Sequence, residues 1–161
     1  MSLYNNPEAT AEVIDDEGFL HTGDLAKIDD KGRVYISGRI KNVIVTENGK
    51  NIYPEELEYH LSLNPLVNEV MVFAEKNAKG ETVVKCSIFP DEEALKENFG
   101  EKEYTDDDLQ ELFAGVVKEV NHKLPQYKHI RGFQLRKAEF IKSASKKILR
   151  FKDENFTDGS N

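Results

Sequence analysis

Between Thr105 and Pro125 the apolar residues Leu109, Leu112, Phe113, Val116, Val117, Val120 and Leu124 recur at intervals of three and four. This spacing gathers them on one stripe of a helix and leaves the charged residues on the opposite side. Thr105, with Asp108 three residues on, forms a variant of the capping box in which Asp replaces Glu or Gln. Pro125 closes the segment. The spacing therefore predicts a helix over 106–123 with one apolar face. Such a face must be covered, and the short β-type runs elsewhere in the chain are the material available to cover it.

Those runs are easily placed. "VNEVMVFAE" and "ETVVKCSIFP" flank "KNAKG" and read as an antiparallel pair. In the second, Val84, Cys86 and Ile88 alternate with Val83, Lys85 and Ser87, so Cys86 reads as a core thiol on one strand face. "HIRGFQLR" is a further strand, and "KAEFIKSASKK" an exposed connector. "YPEELEYHLSL" opens a second helix, with Pro54 suited to the first helical position and Glu55 and Glu56 to its positive end. Leu57 and Leu61 share its inner face, and Asn64-Pro65 stops it. Upstream, "KNVIV" is a short β run before the turn "TENGKN", where Asn48-Gly49 favours positive φ.

The first forty residues read as extended and turn-rich, with a hairpin of "LAKI" and "RVYIS" joined by "DDKG". A lone two-stranded hairpin is marginal in water. This segment is therefore the edge of something larger. The expected fold class is α+β: a small unit of about three strands with two or three helices over 41–161, preceded by a hairpin segment over 1–40.

Composition narrows the function. The net charge of −8 hides an asymmetry: residues 123–152 hold ten Lys or Arg against one acid, Glu139, while the rest holds twelve against twenty-nine acids. An acidic body with one basic stretch is the wrong footprint for general nucleic-acid binding and suits a local anion. No apolar run reaches the roughly 18 residues of a membrane span. The start, "MSLYNNPEAT", has neither basic end nor apolar segment and reads as no secretion signal. A single cysteine excludes an internal disulfide, and with it the expected setting is the reducing cytoplasm. His21, His60, His122 and His129 show no metal-ligand spacing.

The basic stretch ends in "KSASKKILR", where Lys142, Lys146, Lys147 and Arg150 alternate with small hydroxyl residues. On charge alone it is a solvated tail. Read with "TGD" at 22–24 and "GRIK" at 38–41, it acquires a context. The stretch "GFLHTGDLAKIDDKGRVYISGRIKNVIVTENGKNIYPEELE" resembles the C-terminal portion of the adenylate-forming enzymes, which include acyl-CoA synthetases and the adenylation domains of peptide synthetases. The motifs stand in family order from "NNPEAT" to "KKILRF", and the wording looks most like the long-chain fatty acyl-CoA synthetases.

The resemblance implies a two-step ligase using ATP, CoA and Mg2+, with the magnesium held mainly by a large N-terminal domain. Residues 1–40 would be the last hairpin of that domain, and 41–161 a small lid that rotates between half-reactions. Asp24 matches the aspartate that accepts from both ribose hydroxyls, and Arg39 the arginine on the ribose and phosphate side. Ile36 falls where a side chain meets the nucleotide, although an apolar strand residue is equally a core residue. Lys41 falls at the hinge. Gly49 sits in the loop that approaches the pantetheine arm of CoA, unless Asn48-Gly49 merely closes a turn. Lys147 matches the catalytic lysine of adenylation. The family often carries Gly before that lysine, where this chain has Lys146, so the register is open by one residue; the "K-I" pairing favours Lys147. Lys142, Lys146 and Arg150 are expected to be solvated or drawn to CoA phosphates.

The implied partners are the N-terminal domain, ATP or AMP, CoA and a fatty acid, with membrane contact at most peripheral. Nothing in these residues selects the acid, so a ligase for another carboxylic acid is the near alternative. A non-catalytic nucleotide or phosphopantetheine module is the distant one. The 161-residue chain has no phosphate-binding loop. Purified alone, it is therefore expected to form no acyl-CoA from acid, MgATP and CoA, which a thioester assay checks directly.

Overall fold

The chain is described by a computed structural model covering residues 6–100 and 102–158. The opening "MSLYN", part of the stretch read as lacking a secretion signal, lies outside the described residues. The chain divides into two units, the first ending at Val43 and the second beginning at Ile44.

The first unit holds a short helix α1 (Pro7–Val13) and an antiparallel hairpin of β1 (Asp24–Ile28) and β2 (Val34–Arg39). The hairpin is as expected. The helix corrects the reading of this region as wholly extended: Asn6 caps it through its side chain, accepting from the Ala9 N–H at 3.0 Å, and Pro7 occupies its first turn. It buries no residue, so it lacks the apolar stripe that would have betrayed it.

In the second unit a two-residue pair, β3 (Ile44–Val45) and β4 (Asn51–Ile52), precedes α2 (Pro54–Ser62). Then come β5 (Val67–Lys76) and β6 (Thr82–Pro90), paired antiparallel as the "KNAKG" turn requires. Helix α3 (Glu92–Phe99), capped by Asp91, and α4 (Asp106–His122) lead to β7 (Gly132–Leu135). β7 joins β6 in parallel, which a tight turn cannot achieve; the two helices supply the long crossover. The fold is α+β.

The helix predicted over 106–123 forms with both halves of its capping box. Its Phe113, Val116, Val117 and Val120 are buried against Val84, Cys86 and Ile88 of β6 and Leu57 and Leu61 of α2. Each such side chain contributes about 1.5–3 kcal/mol on leaving water. Cys86 is the core thiol expected: burial pushes its pKa up to about 12, which leaves it inert.

The segment after β7 is mostly exposed, as expected, but it is anchored at its start. Phe140 is 3% exposed, and Arg136, 4% exposed, turns its guanidinium inward over the Phe140 ring. There it donates to the carbonyls of Ala138, Glu154 and Thr157. A buried cation is tolerable because backbone dipoles surround it.

Candidate functional site

The first cluster is on the hairpin. Asp24 and Arg39 are cross-strand partners and form an ion pair, Arg39 Nε lying 2.8 Å from Asp24 Oδ1. Directly opposed residues share a sheet face. Ile36 lies three residues from Arg39, an odd step that in a regular strand sends the two side chains to opposite faces. The register shifts between Leu25 and Ala26, however, so that Ala26 opposes Ile36 and Ser37 is the extra residue of a bulge. The bulge brings Ile36 to the face that carries Asp24 and Arg39. That face is open: Ile36 is 71% exposed, and Ile28 and Val34 on the same face are exposed as well. Ile36 is therefore not a core residue. Among the described residues no donor meets Asp24 Oδ2. An exposed pair of this kind contributes under about 1 kcal/mol; its effect is to hold the carboxylate in place.

Lys41 is exposed in a 3-10 turn, Ile40–Asn42, two residues before the division between the units.

Gly49 tips the loop between β3 and β4 at φ 69, with its N–H bonded to the Thr46 carbonyl at 2.9 Å. A Cβ there would meet nothing within 4 Å, so within this chain the turn alone requires the glycine. The loop is tethered by a residue the sequence reading passed over. Glu47 accepts from the Lys76 ammonium and from the Thr82 N–H, both at 2.6 Å. Lys76 first, then Thr82, holds its carboxyl down to about 2.

The third element is the basic hairpin. Lys142 and Ile148 form a bridge, the Ser143 N–H donates to the Lys147 carbonyl at 2.8 Å, and the Lys146 N–H to the Ser143 carbonyl at 2.9 Å. Both arms are anchored. Asn155, fully buried, accepts from the Ile141 N–H at 2.8 Å and donates to the carbonyls of Ile141 and Leu149, each at 3.0 Å. Lys142 binds Glu69 and Glu139. Glu69 and then Glu139 raise its pKa, and its ammonium lowers that of Glu139. Arg150 donates to Glu58 at 2.5 and 2.6 Å and to the Val72 carbonyl at 3.0 Å. Lys142 and Arg150, expected to be solvated or to attract CoA, are thus structural: each lies beside a carboxylate too buried to stand alone. Burial raises the Glu58 pKa despite the Arg150 charge beside it.

Lys146 and Lys147 differ. Both are exposed at the tip, and among the described residues neither ammonium has a partner. Lys146 has φ 60, the one residue other than glycine with positive φ among the described residues. That conformation costs a side-chain-bearing residue about 1 kcal/mol relative to glycine.

A cavity of about 600 Å3 between α4 and β7 contains none of these residues. Its partly buried polar groups are occupied: Asn121 binds the N–H and carbonyl of Ile130, and His129 Nε2 meets the Leu124 carbonyl. The exposed Lys118, His122 and Arg131 also line it, but none of the motifs read from the sequence falls on it.

The profile of the family described as "AMP-binding enzyme C-terminal domain" matches residues 41–153. The chain belongs to that family. A long-chain-fatty-acid–CoA ligase of Rattus norvegicus is 33% identical over 105 residues, 63% of this chain and 15% of the ligase. An acyl-CoA synthetase of Caenorhabditis elegans is 30% identical over 148 residues, 91% of this chain and 24% of its own length. Among solved structures, the o-succinylbenzoate CoA synthetase of Bacillus subtilis, in complex with its acyl-adenylate intermediate, superposes with a TM-score of 0.71 at 26% identity. That match covers 92% of this chain and 27% of the other. This AMP-binding C-terminal domain thus spans about a quarter or less of the relatives it matches. Among its described residues no helix is long and apolar enough to cross a membrane, and no group of three His, Cys, Asp or Glu is placed to hold a metal ion.

Proposed function

We propose that this chain is the C-terminal part of an ATP-dependent, AMP-forming acyl-CoA ligase acting on long-chain fatty acids in the cytoplasm. Residues 41–161 are the lid, and residues 1–40 are the last hairpin of the large N-terminal domain, its principal partner. The observation that carries the reading is the basic hairpin: two arms pinned by Asn155, Lys142 and Arg150, and an unpaired Lys147 at the tip. The positive φ of Lys146 supports Lys147 over Lys146 as the adenylation lysine, because position 146 has a left-handed backbone that suits a glycine, the residue the family often carries before that lysine.

In the first step a carboxylate oxygen attacks the α-phosphorus of ATP; the acyl–phosphate bond forms, the bond to the β-phosphate breaks, and pyrophosphate leaves. Two anions must meet, and the Lys147 ammonium between them offsets the charge at the point where it builds up. Asp24 takes the ribose hydroxyls on its open oxygen, Arg39 steadies that carboxylate and reaches toward phosphate, and Ile36 covers the nucleotide from the same hairpin face. Magnesium accompanies the triphosphate as a substrate ion. Among the described residues no group of three His, Cys, Asp or Glu is placed to hold it, so its ligands are assigned to the N-terminal domain. In the second step the CoA sulfur attacks the acyl carbon, AMP leaves with the electron pair, and the thiol proton passes to solvent. Lys41 turns the lid between steps, and the loop of Gly49 lies along the pantetheine arm.

The long-chain assignment is supported by the name of the rat relative, and the o-succinylbenzoate synthetase keeps other acids in play. The test is acid-dependent ATP–pyrophosphate exchange by the full-length enzyme over a panel of C16 and C18 fatty acids, octanoate, benzoate and o-succinylbenzoate. The highest kcat/KM is expected for the long chains. A higher value for an aryl acid overturns the substrate and spares the ligase. No exchange with any acid overturns the ligase and favours a non-catalytic binding module.

A further inference from the structure

The loop that carries Lys147 has four counterparts of the same construction among the described residues. In each, a residue i donates its N–H to the carbonyl of i+4, and the N–H of i+3 returns to the carbonyl of i: Asp15 to Phe19, Asp29 to Arg33, Thr46 to Lys50, Asn77 to Glu81 and Ser143 to Lys147. In each, the side-chain oxygen of residue i accepts from backbone N–H groups of the loop. This is the three-residue hairpin loop, a tight turn followed by one left-handed residue. Four times that residue is glycine, at φ 86, 75, 69 and 79; the fifth time it is Lys146, at φ 60.

The chain thus builds this loop with glycine four times, and places a lysine in the strained position beside the adenylation lysine alone. The substitution has no structural return: the Lys146 side chain is exposed and meets no partner among the described residues, whereas Lys142 and Arg150 on the arms are both paired. What the position gains is one more free ammonium at the tip. Consecutive Cα atoms stand about 3.8 Å apart, so two adjacent lysines can reach neighbouring phosphates of one chain.

We propose that Lys146 is a second triphosphate-binding residue, which takes the β- or γ-phosphate of ATP while Lys147 takes the α-phosphate and the carboxylate. This rests on the ligase reading above. Lys146 serves adenylation, the step in which a triphosphate is present, and has no part in thioester formation from preformed acyl-AMP. It stabilises the pyrophosphate as it departs and, in reverse, its return.

The test uses the full-length ligase with Lys146→Gly, Lys146→Ala and Lys146→Arg, beside Lys147→Ala. Lys146→Gly relieves the strain and removes the charge. Its expected signature is a melting temperature raised by about 2–4 °C when the 161-residue chain is melted by itself, together with, in the full-length ligase, a KM for MgATP raised about tenfold in pyrophosphate exchange, the effect of one charge-assisted contact. Thioester formation from acyl-AMP and CoA is unchanged. Lys146→Ala keeps the strain but loses the charge, so it shows the same KM without the gain in melting temperature. Lys146→Arg stays near the parent. If Gly and Ala leave the KM for MgATP unchanged, Lys146 is only a tolerated loop residue and the proposal falls. If they raise the KM for CoA instead, the anion is a CoA phosphate and the triphosphate assignment falls. Failure of the ligase reading is separate: it appears as exchange that survives Lys147→Ala.

Discussion

Lys147→Ala in the full-length enzyme is expected to lower acid-dependent ATP–pyrophosphate exchange by about 10²–10³-fold, while thioester formation from supplied acyl-AMP and CoA stays near the parent rate. The size follows from the geometry of the tip. Lys142 and Arg150 are bound to Glu69 and Glu58, so neither is free to replace a lost ammonium. Lys146, its neighbour, is the residue proposed above to take another phosphate. The lesion falls on kcat, since the charge between carboxylate and α-phosphate is greatest in the transition state. The fold should not notice: the Lys147 N–H bonds the Ser143 hydroxyl and its carbonyl accepts from the Ser143 N–H, and alanine keeps both. Loss of both half-reactions together would point to a collapsed lid, and survival of both would return the tip to a solvated role.

Much of this architecture is legible in the amino-acid sequence, for identifiable reasons. α4 is readable because seven apolar residues repeat a period over several turns, and the hairpins because glycine at the left-handed position marks three of the turns plainly. The anchors of the Lys147 loop are not readable. Glu58 lies 92 residues from Arg150, and Glu69 lies 73 from Lys142; a single polar residue carries no periodic signal, and only the folded chain brings such partners together. The same basic residues therefore look alike along the sequence and separate in space into two that hold the loop and two that face outward. Ile36 shows a subtler limit. Its odd spacing from Arg39 sets it on the wrong face until the bulge at Ser37 corrects the register, and Gly38 beside it is the single mark the bulge leaves on the sequence. Lys146 is the reverse case: an "S-K-K" that departs from the glycine of the family becomes intelligible once the backbone angle at 146 is known.

Arg150→Met is expected to destabilise the second unit by about 2–3 kcal/mol at pH 7, less than the loss for a fully buried pair because the Arg150 side chain is 27% exposed. The melting temperature falls by about 10 °C. Methionine replaces the aliphatic stem, so the loss reports the charge: the Glu58 carboxylate keeps the Val72 N–H at 2.7 Å but no cation. The pH dependence gives the sign. Burial raises the folded-state pKa of Glu58 above its ordinary 4.5, and Arg150 pulls against that rise. A carboxyl with a raised folded pKa binds its proton more tightly in the folded state, so its contribution to stability is complete below 4.5 and is lost as pH rises through the folded value. Removing Arg150 raises that value further. The destabilisation of Arg150→Met is therefore largest near neutrality and shrinks as pH approaches 4.5, where Glu58 takes up a proton. Adding Glu58→Gln, which keeps an acceptor for the Val72 N–H and removes the charge, restores at least half of the lost stability at pH 7 and flattens the pH dependence. Thermal melts of the four proteins of this cycle between pH 4.5 and 7.5 measure the coupling. A loss that is constant with pH, or that Glu58→Gln does not relieve, would mean that Arg150 acts through its bond to the Val72 carbonyl and not through its charge beside Glu58.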